Sequence, residues 1–247
     1  MIHTTRMCIL VCLLACADAP DAGDAPMGLD FTAIAGSAAP PPEPIIYPTH
    51  SGGSLPVRHY ASEASDVFVL IHGSGYHSRY LASLAERLAG VGAAHVYTPD
   101  LRGHGVDPER RGDIDYVDQL EDDLVDLIGW VRERHAGGRI FVGGHSSGGG
   151  LALRFAGGGG EASGLVLLAP YLAHDAPTLR AGNSAGGWAQ PKIPRIILLS
   201  ILNGFGVHAF DDVTTIEFSM PEEARDGTET LAYSHRLNVG YAPRNWQ

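Results

Sequence analysis

With 247 residues, 45% of them hydrophobic and 18% charged, the chain has enough apolar side chains for one sizeable domain and too little length for two. The 28 acidic against 17 basic residues leave a formal charge of −11, which disfavours duplex nucleic acid as a partner, since such binding needs a basic surface that displaces counterions. No apolar run reaches the roughly 18 residues of a membrane-spanning helix. Cys8, Cys12 and Cys16 all lie near the N-terminus, so the body of the chain holds no disulfide, thiol nucleophile or cysteine zinc site.

Residues 1–6 form a short segment with one positive charge, and residues 7–15 form an apolar core too short to span a bilayer but suited to a secretory signal. Leu13-Leu14-Ala15-Cys16 resembles a bacterial lipobox, in which the cysteine is lipidated and becomes the mature N-terminus. This reading implies a protein held at the bacterial cell envelope through Cys16; the other reading is a plain signal cut after Ala17 or Ala19, giving a secreted or periplasmic product. Residues 17–44 are rich in Ala, Asp, Pro and Gly, which suits a flexible tether. The folded domain is expected to begin at Ile45.

From there strands and helices alternate. Residues 56–60 read as a strand, and V-F-V-L-I at 67–71 as a strand buried on both faces. Residues 79–88 have helical spacing, and 94–98 form the next strand. Residues 115–133 predict a long amphipathic helix, with Leu120, Leu124, Leu127, Ile128 and Val131 on one face and acids on the other. A strand at 139–143, a helix at 148–155 and a strand at 164–168 complete the pattern. Repeated β-α-β units predict a doubly wound, mostly parallel α/β sheet.

Function in such sheets sits at the carboxyl ends of the strands. There the sequence reads Gly144-His145-Ser146-Ser147-Gly148, a G-x-S-x-G element between a strand and a helix. That context suits a nucleophile elbow, whose strained turn exposes the serine hydroxyl. A second match, around Ser184, has neither a strand before it nor a helix after it. Ser146 is therefore the candidate nucleophile. Its oxyanion would be held by the backbone N–H of Ser147, at a helix N-terminus where the dipole also favours negative charge.

H-G-S-G-Y-H-S-R-Y at 72–80, P-D-L-R-G-H-G at 99–105 and G-H-S-S-G-G at 144–149 occur in this order. Together they resemble the α/β-hydrolase superfamily, and most closely its monoacylglycerol lipase, lysophospholipase and serine-aminopeptidase-like branch. The resemblance covers residues 45–170. It implies that Ser74 supplies the second oxyanion N–H, that residues 100–105 brace the site, and that His72 and His104 are structural. It also implies that residues 171–247 are a helical cap region, with the apolar residues 196–202 as a helix lining an acyl pocket or packing on the core.

The family's acid and histidine follow two further strands, which residues 169–247 do not predict. The chain is thus expected to be C-terminally incomplete, with an open sheet edge beside residues 164–168. Asp175, His208 and His235 are the substitute triad partners the sequence offers, with His174 too close to Asp175 to be placed. No metal or other cofactor signature is present: there is no H-E-x-x-H and no P-loop. Two function classes remain. One is a serine hydrolase acting on a small-molecule acyl ester through an acyl-enzyme; the other is an envelope-tethered domain of the same fold without turnover.

Overall fold

All five residues of the V-F-V-L-I run, strand β4 (Val67–Ile71), are buried. This is the two-sided burial that an uninterrupted apolar strand requires. Val67, Val69 and Ile71 pack into one core with Leu120, Leu124 and Leu151, whereas Phe68 and Leu70 pack into a second with Ala82 and Ala85. The alternation of a strand's side chains thus divides the molecule into two layers around one sheet.

The computed structural model describes residues 8–10, 40–173, 176 and 187–243. Within it the main sheet contains β1 (Cys8–Leu10), β2 (Ile45–Pro48), β3 (Ser54–Tyr60), β4, β5 (His95–Pro99), β6 (Ile140–His145) and β7 (Gly164–Leu168). Their spatial order is β1-β7-β6-β4-β5-β3-β2. Pairing is parallel from β1 to β5, and β3 and β2 add antiparallel at the far edge. Helix α1 (Ala82–Gly90) covers one face; α2 (Gln119–Arg134) and α3 (Ser147–Gly157) cover the other. The fold is the doubly wound α/β sheet that the sequence predicts.

Two helices start later than expected. A 3-10 turn at Ser78–Leu81, capped by the His77 side chain, precedes α1, which therefore starts at Ala82. Helix α2 starts at Gln119 rather than Asp115, because the Gln119 carboxamide folds back on Asp115. Its oxygen accepts the Asp115 N–H at 2.6 Å and its nitrogen donates to the Asp115 carboxylate at 2.9 Å. The five apolar residues predicted for the inner face of α2 are all buried. Two of its acids are also buried, contrary to the amphipathic reading. Asp123 pairs with Arg102 and Glu121 with Arg154, so each carboxylate enters the interior with an arginine.

The edge of β7 is not wholly open. Residues 8–10, from the run read as a signal core, pair with it in parallel, a contact that cleavage before Cys16 would remove. Beyond β7 the described residues do not return to this sheet. They form β8 (Ala189–Pro191), α4 (Ile193–Gly204), β9 (Thr214–Phe218), β10 (Ala232–Ser234) and α5 (His235–Tyr241). The three strands make a separate antiparallel sheet, ordered β10-β9-β8. Helix α4 follows the apolar run predicted to be helical, yet only Leu199 is buried; Ile197 and Leu198 are 55% and 57% exposed. By contrast Leu237 and Tyr241 of α5, with Tyr233 of β10, enter the main core.

Candidate active site

Ser146 occupies the single residue between β6 and α3. Its backbone is left-handed, with φ 53° and ψ −121°, a conformation that costs a side-chain-bearing residue on the order of 1–3 kcal/mol. The surroundings hold it there. The Ser146 N–H donates to the Leu168 carbonyl, and its own carbonyl accepts from Gly149, Gly150 and Tyr171. The flanking glycines are required by contact: a Cβ on Gly144 would lie 2.5 Å from the Gly148 carbonyl carbon, and one on Gly148 would lie 2.3 Å from the His72 oxygen. Only two bare Cα atoms let α3 start this close to the ends of β4 and β6.

The loop after β4 comes to the same point. A Cβ built on Gly73 would be 3.3 Å from Cβ of Ser146, so the backbone of residues 73–74 runs alongside the serine. The Ser74 hydroxyl donates to that of Ser147 at 2.8 Å, which ties the loop to the first residue of α3. Ser147 opens the helix, where backbone N–H groups have no intrahelical acceptor. Two loop N–H groups are already used by tyrosines: Gly73 donates to Tyr80 Oη at 2.7 Å and Gly75 to Tyr233 Oη at 2.9 Å. Tyr80 Oη also sits 3.0 Å from Nδ1 of His145. Burial raises the Tyr80 hydroxyl and lowers the His145 imidazole, so both are neutral near pH 7.

His72 and His104 are buried beneath this loop. His72 Nε2 accepts the Leu101 N–H at 3.1 Å, and its Nδ1 pairs with the Gly73 carbonyl at 2.9 Å. His104 Nδ1 lies 3.0 Å from the Arg102 carbonyl and its Nε2 lies 2.7 Å from Tyr233 Oη. Burial pushes His72 down to about 4 and His104 well below the usual histidine range. Each ring bridges the loop after β4 or the tyrosine behind it to residues 101–104, which Arg102 anchors on Asp123 through two contacts of 2.8 and 2.9 Å. A cavity of about 350 Å³ borders Asp100, Arg102 and His104 but is not lined by Ser146.

The substitute triad partners are not assembled around the serine. His208 is exposed and its Nδ1 pairs with Asp211 at 3.0 Å. His235 is buried at the start of α5, with Nδ1 unpartnered; burial lowers its pKa and the Asp211 charge opposes this. Among the described residues no hydrogen bond joins either histidine to Ser146. Asp175, His174, Ser184 and Cys16 lie outside the described residues. Sequence reasoning missed Tyr80 and Tyr233. Tyr80 closes the H-G-S-G-Y-H-S-R-Y motif and carried a local signal, whereas Tyr233 arrives from 158 residues away and carried none.

A family model described as serine aminopeptidase, S33, matches residues 39–218. The chain belongs to the serine aminopeptidase family. A monoacylglycerol lipase of Mycolicibacterium smegmatis is 34% identical over 132 residues, which cover 52% of this chain and 47% of that protein. The chain thus spans about half the length of that curated relative. Among solved structures, a soluble variant of monoglyceride lipase from Saccharomyces cerevisiae, in complex with a substrate analog, is similar with a TM-score of 0.61 and 21% identity. That match covers 83% of this chain and 67% of the yeast protein. A thermostable carboxyl esterase from Bacillus coagulans, in complex with glycerol, gives 0.57 and 17% over 81% and 70%. At these identities the two structures show the shared α/β-hydrolase fold of this serine aminopeptidase family member.

Proposed function

We propose that the chain is a serine hydrolase of carboxylic esters, acting on acyl esters of the monoacylglycerol or lysophospholipid kind. The observation that carries this reading is the left-handed Ser146 at the sheet's carboxyl end, flanked by the residue 73–74 backbone and the N-terminus of α3. Ser146 Oγ would attack the ester carbonyl, and the N–H groups of Ser74 and Ser147 would hold the oxyanion of the tetrahedral intermediate. Its collapse expels the alcohol and leaves an acyl-enzyme, which water cleaves to free acid and Ser146. The relatives' names support the lipid-like ester, as does α4, whose exposed Ile193, Ile197, Leu198 and Ile201 present apolar surface suited to an amphiphile. The lipobox-like residues 13–16 support placement at the cell envelope through a lipidated Cys16.

One observation favours a second reading, a domain of this fold without turnover: neither His208 nor His235 is bonded to Ser146. A serine without an adjacent base is little more reactive than an ordinary alcohol. A fluorophosphonate probe separates the two readings. Labelling of the wild type but not of Ser146→Ala, with short-ester hydrolysis lost in the same variant, supports the hydrolase. A folded wild type that takes no label supports the inactive domain. Loss of labelling in His208→Ala or His235→Ala would identify the base as coming from the segment after β7.

A further inference from the structure

His59, His95 and His135 belong to no motif, yet three separate elements bring them together. His59 lies on β3, His95 opens β5, and His135 caps the C-terminus of α2. The antiparallel register pairs His59 with Tyr97, so His95 is its diagonal neighbour on the same face. The ring centroids of His95 and His135 are 4.4 Å apart and those of His59 and His95 are 5.3 Å apart. One ring nitrogen from each of the three lies within 4.8 Å of the other two, and all three side chains are half-buried and reachable from solvent.

We propose that these three histidines form a transition-metal site of the zinc type, with solvent in the fourth position. Nε2 of His59 is 3.2 Å from Nδ1 of His95. Two nitrogens at about 2.0–2.1 Å from a tetrahedral zinc are about 3.3 Å apart, so this pair already stands at ligand spacing. Without a metal the arrangement is crowded, because the Ser62 N–H also donates to Nδ1 of His95, at 3.1 Å. That nitrogen's one lone pair is already taken by the Ser62 N–H, whichever tautomer His59 adopts. A metal would replace both contacts, with the His59 proton carried on Nδ1 and the Ser62 N–H released to water. His135 brings its ligand nitrogen within 4.8 Å of the other two from the C-terminus of α2.

The surroundings suit such an ion. The Tyr97 hydroxyl, 2.8 Å from Nε2 of His135, is an outer partner of the kind that fixes a ligand's tautomer, and the Tyr97 ring stacks on His59 at 4.3 Å. The C-terminus of α2 contributes partial negative charge. Its neighbouring cation, Arg134, lies over the Trp130 ring and donates to the Trp130 carbonyl.

The site is separate from Ser146. His95 pairs with Val67 and Val67 with Ile140, the first residues of three parallel strands, whereas Ser146 follows the last residue of β6. The metal would therefore clamp β3, β5 and α2 at the far end of the sheet and leave the serine untouched.

Metal-free, untagged full-length chain titrated calorimetrically with Zn²⁺ should bind one ion. At a hundredfold excess over Kd the melting temperature should rise by roughly 5–10 °C. His59→Ala and His135→Ala should each weaken binding at least roughly tenfold, and Tyr97→Phe roughly tenfold through the outer partner. Co²⁺ bound to the wild type should give the intense visible bands of a tetrahedral centre, a readout that needs no variant. Absence of binding and of a cobalt spectrum would overturn the proposal. So would unchanged affinity in well-folded His59→Ala and His135→Ala, which would place the ion at the chain's other histidines or at Cys8, Cys12 and Cys16.

Discussion

Backbone approach at Gly148 decides whether Ser146 can be presented at all. A methyl there would lie 2.3 Å from the His72 carbonyl and 2.5 Å from that of Ile71, both backbone atoms at the end of a buried strand that cannot step aside. Gly148→Ala should therefore destabilise the fold by roughly 2–3 kcal/mol or more, lowering the melting temperature by roughly 5–10 °C. Calorimetric melting of the purified variant checks this; an unshifted melt would mean that α3 is free to slide. The elbow glycines were legible because their spacing encodes the constraint locally. What makes them indispensable, the carbonyls of β4, became visible only when the strand and the helix met.

At the level of elements, Arg154 joins three helices. From α3 it reaches Glu121 and Asp118 at 2.6 Å each and the Val239 and Ala242 carbonyls, at the C-terminal end of α5, at 3.2 and 2.9 Å. Arg154→Met should cost about 3–5 kcal/mol in urea unfolding, because it leaves Glu121 buried without its cation. Adding Glu121→Gln should recover part of that loss; a double variant no better than the single would show that the arginine's packing, not its charge, matters. Helix α4 behaves in the opposite way. Its apolar residues already face water, so Ile197→Gln and Ile201→Gln should leave stability within about 0.5 kcal/mol, while Leu199→Ala should cost about 2–4 kcal/mol. Equal losses at all three positions would mean that α4 packs more deeply than its exposure indicates.

For the molecule as a whole, the buried histidines set the acid limit of stability. In the unfolded chain His72 binds its proton near pH 6.5; in the folded chain it does so only near 4. Between those values the unfolded state holds more protons, so stability rises with pH. The His72 contribution, on the order of 3 kcal/mol, is complete above pH 6.5 and is lost as the pH falls towards 4. His104, also depressed by burial, adds to the same slope. Unfolding free energies measured from pH 7.5 down to 4.5 should fall by more than about 1 kcal/mol per unit below pH 6. A flat profile to pH 5 would contradict the burial of both rings.

The sequence alone determined what rests on neighbours in the chain. The two-sided burial of β4, the inner face of α2 and the strand–turn–helix around Ser146 are all written within windows of fewer than twenty residues, where periodicity and glycine placement encode local backbone geometry. Tertiary structure decided whatever depends on distant segments meeting. It buried Glu121 and Asp123 against arginines that no helical period announces, turned the apolar residues of α4 to water, and set Tyr233 behind the loop of residues 73–75. It also gathered His59, His95 and His135 from three elements. A side chain's partner across a sheet is fixed by register and crossover, and these emerge only when the whole core packs.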